Sequence, residues 1–344
     1  MNACIDCLPC LARNAIDLAR KSARGDAALE KRIAAGGMRI LADAASEGFP
    51  LPPPCYARRL IDNALAACGG AVPDPWKPEK DKSTALAKRL LAQMDCDGFE
   101  RRLRLAVAGN ILDFSIYADL DIASAMAKMD EAFPKPIHGA LCDCPAKSVV
   151  AAAPCAASGD CSAKSVVAAA PCAASGDCSA KSVVAAAPSA AHLVAALRRA
   201  MDEARSILWI FDNCGEAVFD RLLIEPYREK VTLAVRGRPA FNDMTRAELA
   251  ESGYPEGWAG GGVVSNDDGV PGVIDATCGD AFRAAFAAAD LVVAKGQANF
   301  ETMGERTDKP IAFLFLAKCP VVCRAIGAEP QTIQILLRNF YQTN

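Results

Sequence analysis

The stretch Trp209-Ile210-Phe211-Asp212-Asn213-Cys214-Gly215-Glu216-Ala217-Val218-Phe219-Asp220 decides the fold. Its apolar run, residues 207–211, predicts a buried strand, and the spacing of apolar residues in 216–230 predicts a helix kinked at Pro226. A strand, a polar turn and a helix form half of a βαβ unit, and open α/β sheets bind ligands at the carboxyl ends of their strands. Asp212 and Asn213 lie in that turn and are therefore the first candidates for a binding site.

The composition is that of a soluble globular protein. Of 344 residues, 52% are hydrophobic and 23% are charged, and 38 Lys and Arg against 41 Asp and Glu give a net charge of −3. We expect one large or two medium domains. Because no basic patch stands out, nucleic acid is not an expected partner.

No apolar run reaches the roughly 18 residues that span a bilayer, and the first residues lack the features of a signal peptide. We therefore expect a cytoplasmic protein with no membrane partner. In that compartment the 16 cysteines indicate thiols or metal ligands rather than disulfides. The chain has two histidines, both outside the α/β pattern, which disfavours a histidine base or nucleophile.

The chain divides into three parts. Residues 1–137 predict a helical subdomain, because apolar residues recur at helical spacing and no credible strand interrupts them. Residues 138–190 contain a 17-residue repeat, in which 143–159 and 160–176 differ at one position, and this low-complexity insertion is predicted to be disordered. Residues 191–344 alternate strands with helices, which predicts a three-layer α/β/α core with a mostly parallel sheet.

Polar side chains gather just after successive strands of this core. They are Asp212 and Asn213, then Asn242 and Asp243, then residues 265–268, then Lys295 and Asn299, then Lys318. A parallel sheet brings these strand ends to one edge. Two carboxylates and an amide without a histidine suit a hard cation such as Mg²⁺ or Mn²⁺, and Lys295 would add a positive charge for a phosphate ester. The structural alternative is that Asp212 and Asp243 only cap helices or turns.

Two motifs in the helical part are less specific. Asn110 and Asp113 are three residues apart on one helix face, where they either join helices as a polar pair or close over the active site, and spacing alone favours the former. Cys4, Cys7 and Cys10 have the spacing of metal ligands, but without an obvious fourth ligand we favour buried or redox-active thiols.

Taken together, the motifs resemble the damage-control phosphatases (DUF89), in the prokaryotic branch with N-terminal cysteines. The matching stretches are Cys4-x-x-Cys7-x-x-Cys10, Gly109-Asn110-Ile111-Leu112-Asp113-Phe114, Phe211-Asp212-Asn213-Cys214-Gly215-Glu216, Asn242-Asp243-Met244-Thr245, Lys295-Gly296-Gln297-Ala298-Asn299-Phe300-Glu301 and Ala317-Lys318-Cys319-Pro320. They run along nearly the whole chain except the repeat. The aspartate–asparagine and lysine–glycine–glutamine motifs together are quite specific.

The resemblance implies metal-dependent hydrolysis of small phosphorylated metabolites, such as sugar phosphates or phosphopantetheine derivatives. It implies that Asp212, Asn213 and Asp243 bind a divalent ion (Mn, Mg, Co or Ni) and that Lys295 contacts the phosphate. Asn242, Asn299, Lys318, Asn110 and Asp113 are the candidate substrate-binding residues. The nucleophile is either a water activated by the ion or, alternatively, the Asp212 carboxylate.

Two other functions stay open on the sequence. One is a carboxyl methyltransferase that uses S-adenosylmethionine, although no glycine-rich loop for that cofactor follows the first strand. The other is a non-enzymatic metal or redox protein built on the N-terminal cysteines. The sequence leaves the exact substrate, the metal and the oligomeric state undetermined.

Overall fold

A seven-stranded sheet organises the protein. The computed structural model describes residues 1–70, 74–112, 138–142, 188–306 and 308–340. The strands of this part are β1 (His138–Cys142), β2 (Ile207–Ile210), β3 (Val231–Val235), β4 (Val263–Ser265), β5 (Leu291–Lys295), β6 (Ile311–Leu316) and β7 (Ile333–Arg338). Their order in the sheet is β1-β7-β6-β5-β2-β3-β4. All neighbours pair in parallel except β6 and β7, which are antiparallel.

Ten α-helices accompany these strands in the described ranges. They are α1 (Leu8–Ala23), α2 (Ala27–Ser46), α3 (Pro53–Ala67), α4 (Lys77–Leu91), α5 (Phe99–Ala108), α6 (Ala190–Glu203), α7 (Cys214–Ile224), α8 (Asp280–Ala288), α9 (Gln297–Met303) and α10 (Pro320–Ile326). Side-chain hydrogen bonds to backbone amides fix the first residues of some of these helices. The Asp26 side chain accepts hydrogen bonds from the Ala28 and Leu29 amides and so caps α2.

Helices cover both faces of the sheet, which confirms the predicted α/β/α core. Helices α4, α5, α6 and α7 pack on one face, around Trp209 and Leu233. Helices α8, α9 and α10 pack on the other, around Leu208 and Phe313. Because successive residues of a strand point to opposite faces of the sheet, each buried strand contributes side chains to the cores on both faces.

The helical part divides differently from the prediction. Helices α1, α2 and α3 have their own core, which includes Leu11, Leu41 and Leu60. Helices α4 and α5 instead pack in the core of the α/β unit, where Leu86 and Leu103 are fully buried. Apolar spacing predicts a helix but does not say which surface its buried face meets, so the sequence did not separate these two groups.

One predicted boundary is wrong. We placed residues 138–190 in a disordered insertion, yet its first five residues form β1, which pairs with β7 at the edge of the sheet. The segment His-Gly-Ala-Leu-Cys is too short to show an apolar alternation. The rest of the repeat up to residue 187 lies outside the described residues.

The predicted kink has a simple form. Helix α7 ends at Ile224, and a 3₁₀ helix, Glu225–Lys230, follows and contains Pro226. Proline lacks the amide proton that an α-helix needs at that position.

Two short helices were not predicted from the sequence. These are α9 and α10, which have only seven residues each. No helix in the described part of the chain is long and apolar enough to cross a bilayer.

Candidate metal centre

Two loops at the carboxyl edge of the sheet are joined by backbone hydrogen bonds. Asp212 and Asn213 follow β2, Asp243 follows β3, and Asn213 and Asp243 pair as an antiparallel bridge. The Met244 amide donates to the Asp212 carbonyl oxygen at 2.7 Å, and the Cys214 amide donates to the Asn242 carbonyl oxygen at 3.0 Å. The three predicted ligands are therefore brought to one place by the backbone, and all three are buried.

The Asp212 carboxylate is held by two amide groups. Its Oδ2 accepts hydrogen bonds from Asn110 Nδ2 and from Asn213 Nδ2, both at 2.9 Å. A carboxylate can only accept, so the NH₂ group of Asn213 must face it, and this bond does not use the Asn213 side-chain oxygen. That oxygen is the atom a cation would use.

Gly296 leaves space beside the same carboxylate. It has a φ of +79°, and a Cβ atom at this position would lie 2.1 Å from Asp212 Cγ. Glycine is the one residue that adopts this backbone without strain and without a side-chain atom in that space. The lysine–glycine pair of the motif therefore lets the chain pass directly against Asp212.

Asp243 is fixed by Arg236, the residue that directly follows β3. Arg236 Nε donates to Asp243 Oδ2 at 2.7 Å, and both side chains are buried. The other guanidinium nitrogens donate to the Gly272 carbonyl oxygen at 3.0 Å and to Asn299 Oδ1 at 3.3 Å. Arg236 therefore sets the orientation of one predicted ligand and links it to α9.

Lys295 does not lie where a phosphate contact was predicted. It is the last residue of β5, and its side chain points to the face covered by α5 and α7, where it is fully buried. Its Nζ donates to Glu216 Oε1 at 2.5 Å, Asp220 Oδ1 at 2.6 Å and the Ala106 carbonyl oxygen at 3.0 Å. The residue thus joins three elements beneath the edge of the sheet.

Burial and neighbouring charges shift the pKa values of Lys295 and Asp220. Burial lowers the pKa of Lys295, but Asp220 and Glu216 together outweigh burial and raise that pKa above its ordinary value. Burial raises the pKa of Asp220 to about 7, although Lys295 opposes the shift. Lys295 is therefore a cation at neutral pH, and its positive charge offsets part of the rise that burial causes in the pKa of Asp220.

Glu216, Asp220 and Arg236 were not among the predicted site residues. Glu216 Oε2 accepts from Asn110 Nδ2 at 2.6 Å, so this carboxylate joins Lys295 to the groups around Asp212. Two signals could have found them. Glu216 and Asp220 are four residues apart on α7 and share a face, and Arg236 is the first residue after a buried strand.

The donor set fits a hard divalent cation. Asp212, Asp243 and Asn213 offer carboxylate and amide oxygens, which Mg²⁺ and Mn²⁺ prefer. The formal charge of these side chains is −2, because four carboxylates outnumber two cations. The carboxylates are Asp212, Glu216, Asp220 and Asp243, and the cations are Lys295 and Arg236. In the described ranges no three His, Cys, Asp or Glu side chains gather as a metal site. The candidate centre therefore depends on an asparagine as its third ligand.

The predicted substrate-binding residues occupy different places. Asn110 contacts Asp212 and Glu216, and Lys318 Nζ donates to the Asn110 carbonyl oxygen at 2.6 Å. Asn299 is fully buried and donates to the Lys295 carbonyl oxygen at 2.5 Å, as a connector beneath the site. Asn242 is buried beside Asp243. Asp113 lies outside the described residues.

The N-terminal cysteines lie at the start of α1. Cys4 Sγ and Cys7 Sγ are 3.9 Å apart, and Cys10 is exposed. Burial raises the pKa of the Cys7 thiol to about 12, so this group is protonated at neutral pH. A protonated thiol is a poor nucleophile, which disfavours Cys7 as a reactive thiol in this conformation.

Glu301, the last residue of the lysine–glycine motif, gives a pH dependence of stability. Burial raises the pKa of Glu301 to about 7, although Gln297 Nε2 donates to its Oε1 at 3.1 Å and lowers the pKa in part. A raised folded-state pKa gives stability that is present below about pH 4.5 and lost as the pH rises through about 7. Glu301→Gln should therefore gain roughly 2–3 kcal/mol of unfolding free energy relative to wild type between pH 5 and pH 8.5.

Urea denaturation of both proteins at the two pH values measures this difference. The matched control is Glu251→Gln, which removes the same charge at an exposed position. A difference between Glu301→Gln and wild type that stays constant over this pH range would contradict the account of Glu301.

Comparison with known proteins places the chain in a family. A family model described as the damage-control phosphatase ARMT1-like domain matches residues 3–146 and 175–333. A damage-control phosphatase from Archaeoglobus fulgidus is 39% identical over 126 residues, which cover 36% of this chain and 43% of the relative. Damage-control phosphatase PH1575 from Pyrococcus horikoshii is 38% identical over 143 residues, covering 40% of this chain and 48% of the relative.

The chain thus spans a little under half the length of the curated relatives it matches. A crystal structure of a DUF89 family protein, PH1575 from Pyrococcus horikoshii, shares the fold, with a TM-score of 0.72 and 23% identity over 98% of this chain and 99% of that one. The family model covers well over half of the residues. This protein belongs to the damage-control phosphatase ARMT1-like domain family.

Proposed function

We propose that this protein is a metal-dependent phosphatase that hydrolyses small phosphorylated metabolites. The observation that carries the proposal is the backbone bridge between Asn213 and Asp243, with Met244 bonded to Asp212. It brings the backbones of Asp212, Asn213 and Asp243, which belong to separate loops, together at the edge where α/β enzymes bind ligands. Two relatives, both named damage-control phosphatases, support the same reaction class.

Asp212, Asn213 and Asp243 would hold one divalent ion, Mn, Mg, Co or Ni. Such an ion supplies a Lewis acid that lowers the pKa of water and neutralises charge on the phosphoryl oxygens. Asn110 and Arg236 keep the two aspartates in place, since each donates a hydrogen bond to one carboxylate. Polar groups that are already oriented need no rearrangement during the reaction. Such preorganisation accounts for much of the rate enhancement of many enzymes.

Lys295 acts in this proposal as a positioning residue. Its Nζ is held by Glu216 and Asp220, and Glu216 in turn accepts from Asn110, which holds Asp212. The Lys295 ammonium donates to Glu216 Oε1 and so orients this carboxylate, whose Oε2 accepts the bond from Asn110. Lys318, which is half-buried and bonded to the Asn110 carbonyl oxygen, is the better placed lysine for an anionic substrate.

Phosphate release from a panel of phosphorylated metabolites tests the proposal. We expect hydrolysis of at least one phosphomonoester with Mg²⁺, Mn²⁺, Co²⁺ or Ni²⁺, loss of activity after chelation and recovery when the ion is restored. Borohydride trapping during turnover separates the two nucleophiles, because an aspartyl-phosphate is an acyl phosphate that borohydride reduces, whereas direct attack by water leaves no covalent intermediate to trap. Absence of hydrolysis with all four ions would contradict the phosphatase assignment.

A further inference from the structure

We propose that Cys4 and Cys7 form a reversible oxidation site, and that a disulfide between them loosens the Lys318 loop, residues 317–319 between β6 and α10. Neither thiol takes part in the proposed reaction. All cysteines in the described part of the chain are thiols, so the structure shows the reduced state of the pair. An effect on hydrolysis rests on the proposed phosphatase function, whereas formation of the disulfide and its effect on the loop do not.

The backbone brings the two thiols together. The Cys7 amide donates to the Cys4 carbonyl oxygen at 2.9 Å, within the 3₁₀ turn Ile5–Cys7 that leads into α1. A turn closed in this way holds its first and fourth Cα atoms less than about 7 Å apart, and a 3₁₀ turn aligns side chains three residues apart. The two Sγ atoms are 3.9 Å apart. A disulfide needs Cα atoms roughly 4–7 Å apart, so side-chain rotation can close the bond while the turn stays intact.

Cys10 is a poorer partner for Cys7. It lies in the first turn of α1 and is exposed, whereas Cys7 is buried. Cβ atoms three residues apart on an α-helix are about 5–6 Å apart. A disulfide needs about 3.5–4.5 Å between its Cβ atoms, so a bond to Cys10 would require the first turn of α1 to unwind. The geometry therefore selects the pair Cys4–Cys7.

The different exposure of the two thiols sets the order of the reaction. Cys4 is half-buried and meets the oxidant first, and hydrogen peroxide is a sufficient oxidant. The Cys4 sulfur attacks a peroxide oxygen, the O–O bond breaks, and water leaves a sulfenic acid on Cys4. The Cys7 sulfur then attacks the Cys4 sulfur, the S–O bond breaks, and hydroxide leaves with the Cys7 proton as a second water. Two thiols and one peroxide thus give one disulfide and two waters.

The second step is intramolecular, which compensates for the protonation of Cys7. Burial raises the pKa of Cys7 to about 12, so only about 10⁻⁵ of this thiol is ionised at pH 7. Well-oriented intramolecular reactions reach effective molarities of about 10⁵ M or more, which offsets this fraction. An added dithiol reverses the bond by thiol–disulfide exchange and becomes a disulfide itself.

The thiol pair lies beside the helix that follows the Lys318 loop. Cys4 packs against the core of α1, α2 and α3, and so does Val321 in the first turn of α10. Asp6, within the same turn as the thiols, forms an exposed ion pair with Arg324 of α10. The 3₁₀ turn and the start of α10 therefore share one packed surface.

The Lys318 loop is held at its base by one side chain. Gln297 Oε1 accepts hydrogen bonds from the Lys318 amide at 3.3 Å and from the Cys319 amide at 3.2 Å. Besides burial and Cys4, the charge of Cys319 also raises the pKa of Cys7, so the loop lies close enough to Cys7 for their charges to interact.

Disulfide formation changes this packed surface. The bond draws the two sulfur atoms, now 3.9 Å apart, together by roughly 2 Å. Closely packed side chains transmit a change of this size to their neighbours. The start of α10 then loses contacts with the 3₁₀ turn, and the two amide bonds to Gln297 open more often.

Peptide mapping of the oxidised protein tests the disulfide. The 344-residue chain is treated with a small excess of hydrogen peroxide, its remaining thiols are blocked with iodoacetamide, and it is digested with trypsin. The peptide of residues 1–13 carries all three N-terminal cysteines. We expect Cys10 to be alkylated and Cys4 and Cys7 to be joined, with the loss of two hydrogens, and dithiothreitol to restore both thiols. Full alkylation of Cys4 and Cys7 after peroxide would overturn the proposal.

Two serine variants serve as a matched pair. Cys10→Ser should form the disulfide as the wild type does, whereas Cys4→Ser should leave Cys7 open to alkylation. If Cys7 joins Cys10 in Cys4→Ser as readily as it joins Cys4 in the wild type, the assignment of the pair is wrong.

Hydrogen exchange tests the effect on the loop without any turnover. We expect the Lys318 and Cys319 amides to exchange at least about 5-fold faster after oxidation in the wild type and in Cys10→Ser, with no change in peroxide-treated Cys4→Ser. Unchanged exchange in a protein whose disulfide has formed would overturn the effect on the loop, whether or not the protein hydrolyses phosphate esters. Where hydrolysis is found, oxidation should raise KM more than it lowers kcat, because Lys318 is the lysine placed for the substrate, and an equal KM in both redox states would contradict control of hydrolysis by this site.

Discussion

Asp212→Asn is expected to lower kcat/KM for phosphate-ester hydrolysis at least about 10³-fold, or roughly 4 kcal/mol of transition-state stabilisation. The substitution preserves shape, and the asparagine carbonyl oxygen can still accept the bonds that Asn110 and Asn213 donate to Asp212. It removes one of the two negative charges that would hold the divalent ion. Phosphate release under single-substrate conditions measures the loss.

The matched control for this substitution is Asp290→Asn. Asp290 precedes β5 at the opposite edge of the sheet, where it is ion-paired with Arg205 at 3.3 Å. Removing this charge should change kcat/KM less than about 2-fold, because no candidate ligand is near. An Asp212→Asn protein that keeps wild-type kcat/KM would exclude Asp212 from the reaction.

Lys295→Met is expected to destabilise the protein by roughly 3–5 kcal/mol. The substitution leaves Glu216 and Asp220 buried without the cation that lies 2.5 Å and 2.6 Å from them. Methionine is close to lysine in shape, so lost charge rather than lost volume causes the effect. Equilibrium urea denaturation measures it, and unchanged stability would contradict the assignment of Lys295 as the counter-ion of both carboxylates.

A triple variant separates positioning from phosphate binding. Lys295→Met combined with Glu216→Gln and Asp220→Asn removes all three charges, and replacing a whole buried ionic group is often nearly neutral for stability. We expect the triple variant to recover most of the stability lost in Lys295→Met and to retain hydrolysis within about 10-fold. If it is as stable as wild type but loses about 10³-fold in kcat/KM, Lys295 contacts the phosphate as first predicted.

The sheet could be predicted because its strands are buried runs followed by polar turns. The segments around β2, β3, β5 and β6 have strong apolar runs, and each matched the structure to within a residue or two. The short elements were not predictable in this way. Helices α9 and α10 have seven residues each, and β1 has five residues that do not alternate between apolar and polar. These segments are too short to show the spacing of apolar residues that is typical of a helix or of a strand.

The sequence also predicted which loops meet but not which way side chains point. Asp212, Asn213 and Asp243 follow adjacent strands, and adjacency in a parallel sheet was enough to bring them together. Lys295 was predicted in a loop, but the strand runs one residue further. Leu291, Val293 and Lys295 then point by alternation to the face covered by α4, α5, α6 and α7, and the buried ionic group follows from that register.

Direct titration of the 344-residue chain with Mn²⁺, followed by the electron paramagnetic resonance signal of the free ion, tests the central claim most closely. We expect the wild type to bind one Mn²⁺ ion per chain at this site, and the same titration of Asp212→Asn to show that binding lost or weakened at least about 100-fold, since one of two ligand carboxylates is gone. Equal stoichiometry and affinity in the two proteins would contradict a metal centre built on Asp212.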